Sequence, residues 1–130
     1  MTQSPPDRDN PLNVLGGPLA SCSTDPMTGW HRDGCCRADP SDVGRHHVCV
    51  VLTDAFLAYS KAKGNDLSTP HPEWNFPGLK AGDRWCLCAL RWEQARREGV
   101  APQVVLESTA LAALECLQLD HLRAHAFRLH

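Results

Sequence analysis

The stretch His47-Val48-Cys49-Val50-Val51-Leu52-Thr53 decides the fold. Val48 to Leu52 is apolar without alternation and rich in β-branched residues, the mark of a strand buried on both faces. Arg84-Trp85-Cys86-Leu87-Cys88-Ala89-Leu90 reads the same way, and Gln103-Val104-Val105-Leu106-Glu107 supplies a shorter third strand. Helix signals follow each strand. Thr53 or Asp54 caps a helix running to about Lys63, with Phe56, Leu57 and Ser60 on one side and Gly64 at its end. A short helix over about Arg91 to Glu98 is stopped by Gly99 and Pro102. Ser108 or Thr109 starts a helix carrying Leu111, Leu114 and Leu117, and Asp120 caps a last one with Leu122 and Ala126. The pattern predicts an α+β (or small α/β) domain. About three strands form a central sheet covered by three to four helices, and the sense of the strands stays open.

Outward from this frame the text changes character. Residues 1–13 (MTQSPPDRDNPLN) are Pro/Asp-rich and read as a disordered leader, leaving 14–130 as a single globular domain. Val14 to Arg45 is a loop-rich arm punctuated by Gly16-Gly17-Pro18, Asp25-Pro26, Asp33-Gly34 and Asp39-Pro40. An irregular segment of that length is rare in a compact domain and usually functional where it is ordered. A second long loop, Asn65 to Asp83, holds Pro70, Pro72 and Pro77.

Lys and Arg number 13 against 15 Asp and Glu, a net charge of -2 over 130 residues. That balance argues against a nucleic-acid or anionic-membrane partner, since both need clustered cations. No apolar run approaches the roughly 18 residues of a membrane span. The first residues lack the basic-then-apolar pattern of a secretory signal, so a soluble, cytoplasmic protein with reduced thiols is expected. The 7 cysteines are an odd number and cannot all pair internally.

Their chemistry is the question. A structural zinc site is usually built from CxxC pairs. None exists here; the sequence has Cys35-Cys36, Cys86-x-Cys88 and His46-His47-x-Cys49. Alternate strand residues share a face, so His47 and Cys49 could ligate together, as could Cys86 and Cys88. The pool for a zinc or iron site is Cys22, Cys35, Cys36, His46 and Cys49. For Cys49, Cys86, Cys88 and Cys116, packing as small hydrophobes suffices. A nucleophile needs access and a nearby base. Cys35 or Cys36, exposed after Asp33-Gly34 and ten residues before His46, are the candidates, with Cys22 available as a redox partner. Asn65, Asp66, Ser68 and Thr69 could hold a ligand or simply cap the local backbone. Arg84 could clamp a carboxylate or phosphate, or pair with Asp66 or Asp83.

Four segments together resemble a known family: CSTDPMTGWHRDGCC (22–36), DVGRHHVC (42–49), GNDLSTPHPEWNFPGLKAGDRWCLCALRW (64–92) and APQVVLEST (101–109). They look like the bacterial domain-of-unknown-function family 2237, over about Asn13 to Ala126. The resemblance carries the family's pattern onto Cys22, Pro26, Gly29, Arg32, Asp33, Gly34, Cys35, Cys36, Asp42, Gly44, His46, Cys49, Asn65, Asp66, Leu67, Pro70, Asp83, Arg84, Trp85, Cys86 and Cys88, and favours His46 over His47. Trp30 stands where the family tends to have Phe, Ala81 where it tends to have Pro, and Ala110 where a His often follows the Thr. The resemblance implies a fold and a residue set, and it brings no reaction and no cofactor.

The best reading is a small-molecule-binding domain, enzymatic or not. Its site would form where Asp33, Cys35 and Cys36 of the arm meet Asp42 and His46 and the Asn65–Asp66 loop. The alternatives are a metal-binding Cys/His domain and a structural or protein-interaction module.

Overall fold

The computed structural model describes residues 11–128. Its sheet has three strands, β1 (Val48–Val51), β2 (Arg84–Leu87) and β3 (Gln103–Val104), in the order β2-β1-β3. Both pairings are antiparallel, which settles the sense the sequence left open and makes the domain α+β. The most apolar stretch is the central strand, as its unbroken run requires. Among the described residues three α-helices accompany the sheet: α1 (Asp54–Ala62), α2 (Ala89–Arg97) and α3 (Leu119–Ala124).

The register sorts the strand residues onto two different faces. Val48 pairs with Leu87, and Val50 with both Trp85 and Val104. That face joins the main core with Phe56 and Leu57 of α1, Ala89, Trp92 and Ala95 of α2, and Leu122 of α3. Trp92 is wholly buried and donates its indole N–H to Pro102 O at 3.1 Å. On the opposite face Cys49 pairs with Cys86. There the loop-rich arm takes the place of helices, and Cys22, Cys36, Cys49, Cys86 and Val105 form a second, small core.

The arm is fixed to that face covalently. Cys22 is bonded to Cys49 and Cys36 to Cys86, so the expectation of reduced cysteines is corrected for four of them. Cys35, Cys88 and Cys116 are free. The physical reason lies in burial: an arm of turns has too little apolar surface to hold itself to a sheet, and cross-links supply what a core of that size lacks. Thr28, also fully buried, accepts from the Cys86 N–H at 2.8 Å and so occupies the outer edge of β2.

Several boundaries differ from the sequence reading. Of the expected leader, residues 1–10 lie outside the described residues. Asn13 is ordered and buried, and its side-chain amide donates to Pro18 O and Glu107 O. The helix expected from Ser108 or Thr109 is replaced by 3₁₀ turns at Leu106–Ser108 and Leu111–Glu115. Tertiary bonds prevent it: Ala110 N donates to His47 O, Leu111 N to Leu12 O, and Thr109 Oγ1 accepts from Cys49 N while donating to Val105 O. α2 starts two residues earlier than expected, placing Cys88 at its N-cap. α3 is preceded by Gln118, and no side chain caps it.

Candidate functional site

The loop Asp42-Val43-Gly44-Arg45-His46 builds the most specific polar geometry in the molecule. Asp42 is buried, and its two carboxylate oxygens serve one residue: Oδ2 accepts from the His46 backbone N–H at 2.9 Å and Oδ1 contacts His46 Nδ1 at 2.7 Å. Holding Nδ1 in this way fixes the ring's orientation and leaves Nε2 for other partners. Gly44 is required by this geometry, since a Cβ there would lie 2.7 Å from His46 Cε1. The Trp30 indole stacks over the imidazole, 6.0 Å between centroids and 11° from parallel. Arg45 takes a left-handed conformation (φ 52°), and its carbonyl accepts from Ala89 N at 3.0 Å. That bond fastens the His46 loop to the start of α2, directly beside Cys88.

His46 forms part of the wall of a pocket of about 250 Å³. Gly29, Trp30 and Arg32 of the arm, Asn65 of the second long loop, and Trp85 and Cys88 of the β2–α2 segment also line it. Arg32 is held at φ 54°, a conformation non-glycine residues rarely adopt. Its guanidinium donates to Gly29 O at 3.2 Å and lies over the Trp85 ring, 5.3 Å from the centroid. The first bond uses one of five donors, so the charge stays available to an anion. Gly29 (φ 98°) admits no side chain, because a Cβ would run into Cys35 O.

Of the residues expected to converge, His46 and Asn65 line this pocket, together with Gly29, Trp30 and Arg32 of the arm; Asp33, Cys35, Cys36, Asp42 and Asp66 are not among its lining residues. Asp33 is exposed, pairs with Arg37 at 2.8 Å and accepts from Cys35 N. Cys36 is fully buried and disulfide-bonded, which denies a nucleophile both its thiol and its access. Cys35 is a free thiol whose pKa burial pushes up, with the Asp33 charge adding to the rise and Arg37 partly offsetting it. Asp66 accepts from the backbone and hydroxyl groups of Ser68 and Thr69, and these bonds, led by Thr69, hold its carboxyl down at about 2. The Asp66–Ser68–Thr69 set thus caps its own exposed turn. Arg84, at the far end of the β1–β2 ladder from His46, lies over Phe127. It pairs with neither Asp83, which Lys80 takes, nor Asp66.

Of the metal pool, Cys22, Cys36 and Cys49 come together, their sulfurs within 4.8 Å of one another. Cys35 and His46 are not members of that cluster. The resemblance picked out Arg32 and Cys88, but sequence reasoning gave no site role to Cys88, Trp30 or Arg32, all of which line the pocket. Its place in an apolar strand text pointed to packing for Cys88, and the helix start two residues earlier than expected is what puts it at an N-cap beside the pocket.

An α+β domain with a sheet sheathed by helices on one face and by a cross-linked arm on the other is the class these observations define. The chain belongs to domain-of-unknown-function family 2237, described as an uncharacterised protein conserved in bacteria, whose family model matches residues 12–126. Among curated proteins none matches the chain. Among the described residues no helix is long and apolar enough to cross a membrane.

Proposed function

We propose that this domain binds a small anionic molecule with a flat apolar part in the His46 pocket, and acts on it by acid–base chemistry. The observation that carries the reading is the buried Asp42 holding His46 by two bonds at the wall of a pocket. An imidazole oriented by a carboxylate is the arrangement that proton transfer uses. Arg32 supplies the charge for a carboxylate or phosphate group, and Trp30 and Trp85 supply flat faces. Cys88 is the free thiol on the same wall, and we assign to it any covalent step. The same proposal takes the partner to be a small molecule, with no nucleic acid or membrane involved, and the location to be cytoplasmic, which cell fractionation checks.

Benzoate is a suitable probe because it is flat, apolar and anionic. Titrated into the full-length protein, it should change tryptophan fluorescence saturably, and Arg32→Ala should weaken its binding at least tenfold. A linear, unsaturable response in wild-type protein would overturn the binding reading. Iodoacetamide labelling addresses the thiol assignment separately. Cys88 should be alkylated faster than Cys35, and His46→Ala should slow Cys88 alone.

A further inference from the structure

The two disulfides lie side by side. Cys49 and Cys86 are direct partners across the β1–β2 ladder, and each holds one cysteine of the arm. Four sulfurs, two from the arm and one from each of β1 and β2, are thereby packed in one small core, and Cys22, Cys36, Cys49 and Cys86 are each at most 4% exposed. Three of the sulfurs already lie within 4.8 Å of one another, and the fourth is bonded to Cys36. A tetrahedron of thiolates around zinc, with Zn–S of about 2.3 Å, sets its sulfurs about 3.8 Å apart. The strands and the arm therefore bring three of the four sulfurs near that spacing before any ion arrives, with Cys86 held beside them by its bond to Cys36 and its pairing with Cys49.

We propose that the reduced form of this domain binds one soft divalent cation, zinc by preference, through Cys22, Cys36, Cys49 and Cys86. The site alternates with the disulfide pair according to the thiol redox state. Reduction by a dithiol breaks both S–S bonds: each accepts two electrons and two protons, and two equivalents of the reductant become its disulfide. Binding then releases four protons as the four thiols become thiolates around the cation. The oxidised domain holds its arm by two covalent bonds, and the reduced domain holds it through the cation. Thiolates and a closed, apolar surround select zinc over magnesium or calcium, which take oxygen ligands. Cys86 also lines the His46 pocket, but cation uptake by the reduced protein and ligand binding by the oxidised protein are read independently, so the failure of one is distinguishable from the failure of the other.

The test uses full-length protein reduced by a non-chelating phosphine and titrated with cobalt(II) and then zinc(II) in the absence of oxygen. The expected result is one cobalt per chain with the absorption of a tetrahedral tetrathiolate, displaced by one zinc, and no binding by the oxidised protein. Zinc should raise the melting temperature of the reduced protein. Cys49→Ser with Cys86→Ser should abolish the cobalt spectrum, and Cys35→Ser with Cys88→Ser and Cys116→Ser should leave it intact. Reduced protein that takes up no stoichiometric cobalt, or that zinc neither stabilises nor refolds, would contradict the proposal. Equal binding by the Cys49/Cys86 double variant would contradict it as well.

Discussion

At the scale of single residues, two neighbouring histidines show how burial decides a role. His46 is half-buried and tied to Asp42, whereas His47 is 3% exposed and neither of its ring nitrogens has a hydrogen-bond partner. Burial lowers the His47 pKa below its ordinary 6.5; the Arg45 and His46 charges push the same way, against Asp42 and Glu115. The unfolded chain therefore takes up a proton first as the pH falls. The stability that neutral His47 contributes is complete above 6.5 and declines below it. Urea unfolding measured through that window should show this decline, and His47→Phe should flatten it. Removing the Asp42 side chain strands two donors in the loop. Asp42→Ala should cost about 1–3 kcal/mol in the same assay, and adding His46→Ala should cost less than the sum of the single changes. Legibility at this scale was uneven. Asp42 and His46 stood four apart in the text with Gly44 between them, and the geometry matches that spacing. The pairing of Cys22 with Cys49 and Cys36 with Cys86 was not legible, because it depends on which face of the sheet the arm covers.

Elements follow local signals where packing agrees with them and lose them where it does not. α1 forms where the sequence places it: Thr53 accepts from Phe56 N at 3.1 Å, and Phe56, Leu57 and Ser60 are buried. Thr53→Ala should destabilise the protein by about 1 kcal/mol, read from the shift in the denaturation midpoint. The Leu111–Leu117 pattern carried the same helical spacing, yet bonds from Ala110 to His47 and from Leu111 to Leu12 hold that segment in 3₁₀ turns. Those partners are 63 and more residues distant, beyond what periodicity encodes. The strand at Gln103 is short for a similar reason. Its run turns at Leu106 so that Ser108 can donate to Ser21 O of the arm.

For the molecule as a whole, the arm is what converts a three-stranded sheet into a domain with a pocket. Its closed loops span 27 and 50 residues between bonded cysteines, so each cross-link should stabilise the fold by about 3–4 kcal/mol through the unfolded chain. Calorimetry of Cys22→Ser/Cys49→Ser should show a drop in melting temperature, with α1 and α2 unaffected in the residual native signal at low temperature. The arm also carries Trp30 and Arg32 to the pocket wall, and the binding claim rests on that placement. Its most direct test is an amide chemical-shift map of the full-length protein titrated with benzoate. The account predicts saturable shifts confined to Gly29–Arg32, His46, Asn65 and Cys86–Cys88, moved to at least tenfold higher benzoate by Arg32→Ala. Shifts clustered instead around Leu12 and Leu111, where a second groove lies, or no saturable shifts, would contradict it.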